Sequence, residues 1–281
     1  METEAVKLSC TKCGPSDYKF WGKEHTGVEM VKCQVCSLRF VNPRLKEEEI
    51  EEVYGDHYWE RLGHTSIDLK RTKNFFNYDM LSLMKGIEFC PVDKPSILDI
   101  GVGQGGYLKA AKMGGYNNLT ANDINSAKEE DLKGFNIPLI VGNIVNTDVG
   151  QFDLINAQHV LEHVTDPFLF LKAIKKSLTP NGVVHIAVPN EGGIVATWKS
   201  FLSRVGLKKK KAFKHLSPWH HIFFYDVRSL SFILEESGFE VLYMGTRNNI
   251  KEKGAFYDLL HKIFDKFNWN THLQVVVKAK V

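Results

Sequence analysis

Apolar positions follow two different spacings along this chain, and the way these spacings alternate predicts the fold. Apolar runs of strand length occur at 97–100, 119–123, 152–157, 183–188 and 239–246. Apolar residues recur at helical spacing over 108–113, 126–132, 168–177 and 227–237. This order predicts an α/β fold with a mainly parallel sheet and helices on both faces. Residues 272–279 alternate apolar and polar positions, so we expect an antiparallel strand at the edge of the sheet.

The chain before this region has a different pattern, which predicts a separate small module. Strand-like patterns at 18–21 and 28–31 predict an antiparallel hairpin, and Asn42-Pro43 is expected to end it. We therefore interpret residues 1–43 as an N-terminal module with its own sheet.

A helical linker is expected between the N-terminal module and the α/β domain. Residues 44–94 are acidic and helical at first, over 45–53, and then carry apolar residues at helical spacing over 67–89. We expect the later helix to lead into the domain at 95–281 and to cover part of it. A segment at about 191–225, called the insertion below, interrupts the alternation of strands and helices after the strand at 183–188.

Composition describes an ordinary globular protein. The 281 residues, 43% hydrophobic and 25% charged, suffice for one domain and a small module. A formal net charge of +3 is too small to indicate nucleic-acid binding by itself. No apolar run reaches membrane-spanning length, and residues 1–10 lack the apolar core of a signal peptide. We therefore expect a cytoplasmic protein with no transmembrane segment, and the charge gives no support for a nucleic-acid partner.

Four of the five cysteines form two closely spaced pairs in the N-terminal module, Cys10-x-x-Cys13 and Cys33-x-x-Cys36. The length of chain between the pairs is typical of zinc sites. Because each pair sits on a tight turn, four thiolates can converge on one ion. With all four positions filled, the zinc would be structural. Two disulfides or a redox-active pair are the alternatives, and a reducing cytosol disfavours disulfides.

The most informative motif follows the first strand of the α/β domain. Asp99 lies two residues before a glycine cluster that includes Gly101, Gly103 and Gly105, and a helical pattern begins at once. Glycines there let the backbone approach a ligand closely, and Asp123, at the end of the next strand, can hold ribose hydroxyls. The glycines fit both a dinucleotide pattern and a tighter one. A carboxylate at Asp99 would repel a pyrophosphate, so it favours a cationic or zwitterionic ligand such as S-adenosylmethionine.

The region from about 95 to 246 resembles the class I S-adenosylmethionine-dependent methyltransferases. The matching motifs occur in order: 98–105 is similar to the family's glycine motif, 122–124 to its ribose-binding acidic motif and 141–144 to its adenine-binding motif. That last motif usually carries Asp where this chain has Asn143, whose amide oxygen can still meet the adenine amino group.

The resemblance implies a Rossmann-like seven-stranded sheet whose last strand is inserted antiparallel, with S-adenosylmethionine as the cofactor. The residues that it implies for cofactor binding are Asp99, Gly101, Gly103, Gly105, Asp123, Ile124, Asn143, Ile144 and Gln158.

Two histidines are candidates for acid–base catalysis, since a hydroxyl or carbon acid must lose a proton during methyl transfer. By resemblance, His163 follows the strand at 152–157 and faces the cofactor methyl group. His221 resembles the histidine of sugar C-methyltransferases that also carry an N-terminal four-cysteine zinc module. Those enzymes have an acidic residue at the position of His220 and a further C-terminal domain. The alternative for His221 is a structural residue packed under Phe223 and Phe224.

The acceptor implied by this resemblance is a small molecule or glycan, such as a nucleotide sugar or polysaccharide precursor, methylated on oxygen or carbon. The lysines at 208–211 fit an anionic substrate, and a solvated loop would explain them equally. A membrane-surface role is less favoured, because the apolar face beside them is short. Two other classes of protein remain open. One is a ribosomal RNA methyltransferase with a cysteine zinc module, and the other is a non-catalytic cofactor-binding scaffold.

A second interpretation applies to His159, Glu162 and His163. Quinone-pathway O-methyltransferases resemble this segment and bind a divalent metal through two acids and a histidine at these three places. Here the first place holds His159 rather than an acid. The sequence therefore leaves a catalytic metal open.

Overall fold

The computed structural model describes residues 3–5, 13, 17–46, 69–126, 128–207, 209–218, 221–247 and 263–280.

A seven-stranded sheet forms the centre of the α/β domain and confirms the predicted fold class. Its order is β12-β13-β10-β9-β6-β7-β8. The bounds are β6 Ile97–Ile100, β7 Leu119–Asp123, β8 Leu139–Val141, β9 Phe152–Gln158, β10 Leu178–Pro189, β12 Phe239–Arg247 and β13 His272–Ala279. Strands β6 to β10 pair in parallel, so their carboxyl ends meet at one edge of the sheet, where α/β proteins bind ligands.

The last strand corrects one prediction from the sequence. β13 is antiparallel, as expected, but it does not lie at the edge: it pairs with both β10 and β12. Its interior position explains why Val275, Val276 and Val277 are all buried, since a central strand is covered on both faces. The edge strand on this side of the sheet is β12, and β8 forms the opposite edge.

Helices cover both faces of this sheet. Their bounds are α1 Leu69–Phe89, α2 Gly106–Met113, α3 Lys128–Lys133, α4 Pro167–Lys176, α5 Ile194–Arg204 and α6 Val227–Glu236. Successive strand residues point to opposite faces, so Leu154 joins the core that includes Leu108 of α2, whereas Ile155 joins the core that includes Ile174 of α4. Asp166 begins α4 by accepting hydrogen bonds from the backbone N–H groups of Phe168 and Leu169.

The N-terminal module contains an antiparallel sheet whose fourth strand comes from the insertion. The strands β2 Tyr18–Lys23, β3 Glu29–Cys33 and β4 Arg39–Val41 confirm and extend the predicted hairpin. β11, Phe223–Phe224, pairs antiparallel with β4. Phe213, Leu216 and Phe224 of the insertion pack in the same apolar core as Trp21 and Met30. The module and the insertion therefore fold as one structural unit.

The predicted linker is described only in part. Leu45 belongs to a short strand, β5 Arg44–Leu45, which pairs with β1 Thr3–Glu4, and is not helical. The rest of the predicted acidic helix, residues 47–53, lies outside the described residues. The later helix of the linker is α1. In the part of the chain that the structure describes, no helix combines the length and apolar character needed to cross a bilayer.

Candidate functional site

The turn after β6, residues 101–106 and called the glycine loop below, needs backbone conformations that favour glycine. Gly101, Gly103 and Gly105 have φ angles of 66°, 56° and 73°, all in the left-handed region. A Cβ atom on Gly101 would lie 2.6 Å from the Cγ2 atom of Val160. The loop ends where α2 begins, so the helix N-terminus and the loop backbone face the carboxyl edge of the sheet.

Asp123 lies at the end of β7 and contacts the glycine loop directly. Its carboxylate accepts hydrogen bonds from the backbone N–H groups of Gly103, at 3.3 Å, and Asn125, at 3.0 Å. Because β6 and β7 are parallel neighbours, the structure brings these two motifs together at adjacent strand ends. This is the arrangement in which an acidic side chain can reach the ribose of a nucleoside held over the loop.

The next three residues of the implied cofactor set occupy different environments. Ile124 is 44% exposed and offers an apolar surface beside Asp123. The side-chain oxygen of Asn143 accepts a hydrogen bond from the N–H of Val145 at 3.1 Å. Ile144 is buried in the core, so it supports the loop after β8. Ile124 is therefore the better candidate of the two isoleucines for contact with a flat adenine ring.

Asp99 is fully buried at the base of the glycine loop and is held by a chain of polar side chains. The amide nitrogen of Asn156 donates to Asp99 at 2.6 Å, and the amide oxygen lies 2.9 Å from Nδ1 of His185. Burial raises the pKa of Asp99 to about 8. The bond from Asn156 opposes this shift, while Asp79 and Asp123 add to it. Burial also lowers the pKa of His185 to about 3, so His185 is neutral and can donate to Asn156.

Asp79 on α1 is a site residue that the sequence analysis missed. Its carboxylate lies against Gly106, so closely that a side chain on that glycine would collide with it. Gln158 at the end of β9 donates to Asp79 at 3.3 Å and accepts from the hydroxyl of Ser82 at 2.7 Å. Burial raises the pKa of Asp79 to about 6, although Gln158, Arg247 and His159 oppose the shift. The sequence analysis expected the helix at 67–89 to cover part of the domain, and this was the only sign that one of its side chains could reach the site.

Carboxylates therefore surround the glycine loop. Burial raises the pKa values of Asp79 and Asp99, which means that the positive charge around them does not compensate for their burial. An anionic pyrophosphate would add negative charge beside these groups and beside Asp123, and so it would be disfavoured. A ligand with a sulfonium and an ammonium group would compensate this charge. The residues present therefore fit S-adenosylmethionine.

A second group of titratable residues, called the histidine cluster below, contains Glu162, His163 and His221. The potential ligand atoms of these three side chains all lie within 4.8 Å of one another. The rings of His163 and His221 are 4.9 Å apart. Glu162 is buried, and its Oε2 has no hydrogen-bond partner among the described residues. The structure thus brings together the two histidines proposed for acid–base chemistry.

Glu162 keeps its charge although it is buried. Burial would raise its pKa, but a hydrogen bond from His159 and the charges of His163, His159 and His221 outweigh burial and lower the pKa to about 2. Nδ1 of His159 lies 3.2 Å from Glu162 Oε1, and Nε2 lies 3.4 Å from the hydroxyl of Tyr78. His159 thus bridges Glu162 to α1, while His221 joins Glu162 and His163 in the cluster.

Backbone hydrogen bonds explain how His221 reaches this position from the insertion. The N–H groups of Ile222 and Phe223 both donate to the carbonyl oxygen of Glu162, at 2.8 and 3.1 Å. The carbonyl of Ile222 in turn accepts from Val41 of the N-terminal module at 2.9 Å. The start of β11 is therefore fixed between the module and the loop after β9, and His221 is placed with it.

Three of the predicted zinc ligands converge in the N-terminal module. Cys13, Cys33 and Cys36 are buried, and their sulfur atoms lie within 4.8 Å of one another. Burial raises the pKa of Cys36 to about 11, and it raises that of Cys13 still further, with contributions from neighbouring thiols. Cys10 lies outside the described residues. A buried thiol set of this kind matches zinc chemistry, since zinc binds thiolates.

A family model described as a methyltransferase domain matches residues 75–244. The match starts within α1 and ends within β12, so it includes the glycine loop, the histidine cluster and the insertion.

Curated relatives match part of this region. The chain is 33% identical over 128 residues to the electron transfer flavoprotein beta subunit lysine methyltransferase of Rattus norvegicus. The matched region covers 42% of this chain and 46% of that protein. It is 31% identical over 136 residues to the ubiquinone biosynthesis O-methyltransferase of Bartonella tribocorum. That match covers 45% of this chain and 49% of the relative. The chain thus spans about half the length of the curated relatives it matches.

Among solved structures, the chain is similar to magnesium protoporphyrin IX methyltransferase from Synechocystis PCC 6803, which was solved with bound SAH. The TM-score is 0.56 at 9% identity, over 84% of this chain and 100% of that chain. At this level of identity the likeness concerns the fold alone.

Proposed function

The chain belongs to the methyltransferase domain family, and from this premise we propose that it transfers a methyl group from S-adenosylmethionine to a small-molecule or glycan acceptor, such as a nucleotide sugar or polysaccharide precursor. The observation that carries the proposal is the carboxylate-lined glycine loop, which fits a cationic nucleoside cofactor. The histidine cluster supplies the acid–base groups that such a transfer needs.

The cofactor would be held by groups on four strand ends and one helix. Asp123 would bind the ribose and Ile124 the adenine, with Asn143 at the adenine amino group. Asp99, the glycine loop, Asp79 and Gln158 would hold the methionine part, whose ammonium group needs negative partners. S-adenosylmethionine supplies the methyl group on a sulfonium centre; the chain's own residues orient it and the acceptor.

We assign His221 as the general base and His163 as an assisting group. Buried Glu162 would stabilise the imidazolium that forms when a histidine takes the acceptor's proton, because its low pKa keeps it ionised. Both oxygen and carbon acceptors fit this scheme, since each must lose a proton during or after attack on the methyl group.

Calorimetry with S-adenosylhomocysteine tests the cofactor site. We expect binding to the wild-type protein and marked weakening in Asp123→Ala, because the ribose loses its acceptor. Asp93→Ala, which removes an exposed carboxylate before β6, should bind like wild type. If neither S-adenosylhomocysteine nor S-adenosylmethionine binds at high concentration, the proposal is wrong.

A transfer assay with radiolabelled methyl donor tests the histidine roles, using nucleotide sugars and lipid-linked glycans as acceptors. His221→Ala should lower turnover about 10²–10⁴-fold while cofactor affinity stays near wild type. If turnover changes only a few-fold, proximity drives the transfer and His221 is not the base. Loss of both cofactor affinity and thermal stability would make His221 structural. His163→Ala should lower turnover alone if His163 lies at the acceptor.

A second candidate is metal-assisted O-methylation. It is favoured by Oε2 of Glu162, which has no hydrogen-bond partner within the described part of the chain, and by the convergence of this carboxylate with His163 and His221. A divalent ion there would polarise an acceptor hydroxyl, and His221 would then be a ligand instead of the base. Chelator treatment separates the two schemes: turnover that survives complete removal of divalent ions at this cluster excludes the metal scheme.

We also propose one structural zinc in the N-terminal module, held by Cys13, Cys33 and Cys36 with Cys10 as the fourth ligand. The buried, converging sulfur atoms of the three described cysteines support it. In this position the zinc would stabilise the module and not act on the substrate.

A further inference from the structure

Helix α5 in the insertion has the reverse polarity of an ordinary surface helix. Its inward side is polar: Ser200 and Ser203 are only 6% and 8% exposed. The hydroxyl of Ser200 lies 3.2 Å from Nε2 of His215, and that of Ser203 accepts from the N–H of Phe213 at 3.1 Å. A helix on a protein surface normally buries its apolar side, so the outward side of α5 needs an explanation.

That outward side carries an apolar stripe, defined as Ile194, Trp198, Phe201 and Val205. The spacing of four, three and four residues places these side chains in one line along the helix. Each is between 42% and 60% exposed, and the rings of Trp198 and Phe201 stack with centroids 5.8 Å apart. Leu207, just beyond the helix, is exposed as well. A continuous apolar line of this kind marks an interaction surface.

The charge of the insertion points to the kind of partner. Between Gly192 and Tyr225 the sequence has no Asp or Glu. Its basic residues there are Lys199, Arg204, Lys208, Lys209, Lys210, Lys211 and Lys214. Lys210, Lys211 and Lys214 are exposed on the turns that follow α5. The apolar stripe is therefore followed by a concentrated positive charge.

We infer that α5 and the basic turns after it form a docking surface for bilayers that contain anionic lipids. The helix would lie along the membrane surface, its apolar stripe entering the boundary between head groups and acyl chains while the lysines meet lipid phosphates. A nucleic acid would match the lysines but leave the apolar stripe in water. A tryptophan within the stripe is typical of side chains at a membrane interface.

The proposed docking surface lies close in the chain to the edge of the sheet that carries the glycine loop. β10 ends at Pro189, at the edge of the sheet where the glycine loop lies, and α5 begins shortly afterwards. Docking through α5 would thus bring that edge close to the bilayer. The inference does not depend on which acceptor is methylated, nor on methyl transfer itself.

Co-sedimentation of the full chain with lipid vesicles tests the docking surface. We expect binding to vesicles of phosphatidylcholine mixed with phosphatidylglycerol and little binding to pure phosphatidylcholine. The double variant Trp198→Ser, Phe201→Ser should lose at least about tenfold in affinity, since it removes the two aromatic groups that insert. Met113→Ser, which removes an exposed apolar side chain from α2, is the matched control and should bind like wild type.

A second variant tests the charge independently of the apolar stripe. Lys210→Glu, Lys211→Glu should weaken binding to the anionic vesicles about fivefold or more per residue, because each basic side chain near an anionic surface contributes roughly that factor. Both residues are exposed, so the fold and S-adenosylhomocysteine binding should persist. Trp198 fluorescence, obtained as the difference from Trp198→Phe, should shift to the blue when anionic vesicles are added.

Three results would overturn the inference. The first is equal binding of wild type and the double serine variant to anionic vesicles. The second is an oligomer in solution that the double serine variant dissociates, because the apolar stripe would then be a contact between copies of this chain. The third is a Trp198 signal that is shielded from acrylamide before lipid is added and does not change afterwards, which would mean that another part of the chain covers the stripe.

Discussion

At the scale of single residues, the site depends on carboxyl groups that the protein keeps partly protonated. Burial raises the pKa values of Asp99 and Asp79, and no compensating arginine contacts Asp99 in the described structure. Asn156 and His185 instead hold Asp99 in place. A buried carboxylate has a high free energy when it is ionised without a partner. A cation bound beside it therefore interacts with it strongly, because little solvent screens the two charges from each other.

Asp79 provides a test of this arrangement. Its raised pKa of about 6 means that it is protonated at lower pH and ionised above. S-adenosylhomocysteine affinity should therefore fall when the pH is lowered from about 7 to about 5, as the carboxylate loses its charge toward the ligand's ammonium group. Asp99, with a pKa of about 8, stays largely protonated across this range and adds little to the change.

Asp79→Asn should flatten that pH dependence and weaken binding at neutral pH about tenfold, the usual effect of losing one charge-assisted hydrogen bond. Asp148→Asn, at an exposed loop position, is the control. Calorimetric titrations at several pH values give both quantities. An unchanged pH profile in Asp79→Asn would show that Asp79 does not contact the cofactor.

At the scale of elements, β11 and β4 hold the insertion against the N-terminal module. Arg39 on β4 strengthens this junction: its guanidinium lies 2.8 Å from the carboxylate of Asp226, which begins α6, and 5.2 Å from the centre of the Trp21 ring. Both charged groups are largely buried, so removal of one leaves the other without its partner.

Arg39→Met should therefore lower the free energy of unfolding by about 2–4 kcal/mol, which corresponds to a fall of several degrees in melting temperature for a chain of this size. Lys23→Met breaks an exposed ion pair with Glu29 in the same sheet and should change stability little. Differential scanning calorimetry on both variants measures the difference. Equal melting temperatures would mean that the junction does not depend on the Arg39 pair.

At the scale of the whole molecule, the sequence predicted the elements better than it predicted how they come together. The sheet, its helices and the antiparallel direction of β13 follow from local spacing and the family resemblance. The interior place of β13 follows only from the resemblance, which implies an inserted last strand. Local alternation over 272–279 favoured an edge instead, because order in a sheet is set by pairing between distant segments. The same limit hid Asp79 and the strand β11: no local pattern shows that residue 79 covers Gly106, or that residue 223 pairs with residue 40.

Metal analysis of the whole protein tests the zinc site proposed in the N-terminal module. We expect one zinc per chain in protein purified without added metal, and its loss together with lowered stability in Cys33→Ser, since metal binding supplies folding energy to such modules. Cys90→Ser, which changes a cysteine outside the two pairs, should keep the metal. Protein without bound metal, in which the four module thiols titrate freely while the fold is intact, would contradict the zinc assignment.

The pairing of β4 with β11 also has a consequence for how the chain is made. A ribosome releases β11 roughly 180 residues after β4, a delay of about 10–40 s at typical rates of synthesis. During that interval one edge of the N-terminal sheet has no neighbour, and an open edge is a template for pairing with other nascent chains. Metal captured by the cysteines in that period would steady the waiting strands, so cells short of zinc should accumulate this protein as aggregates formed during translation.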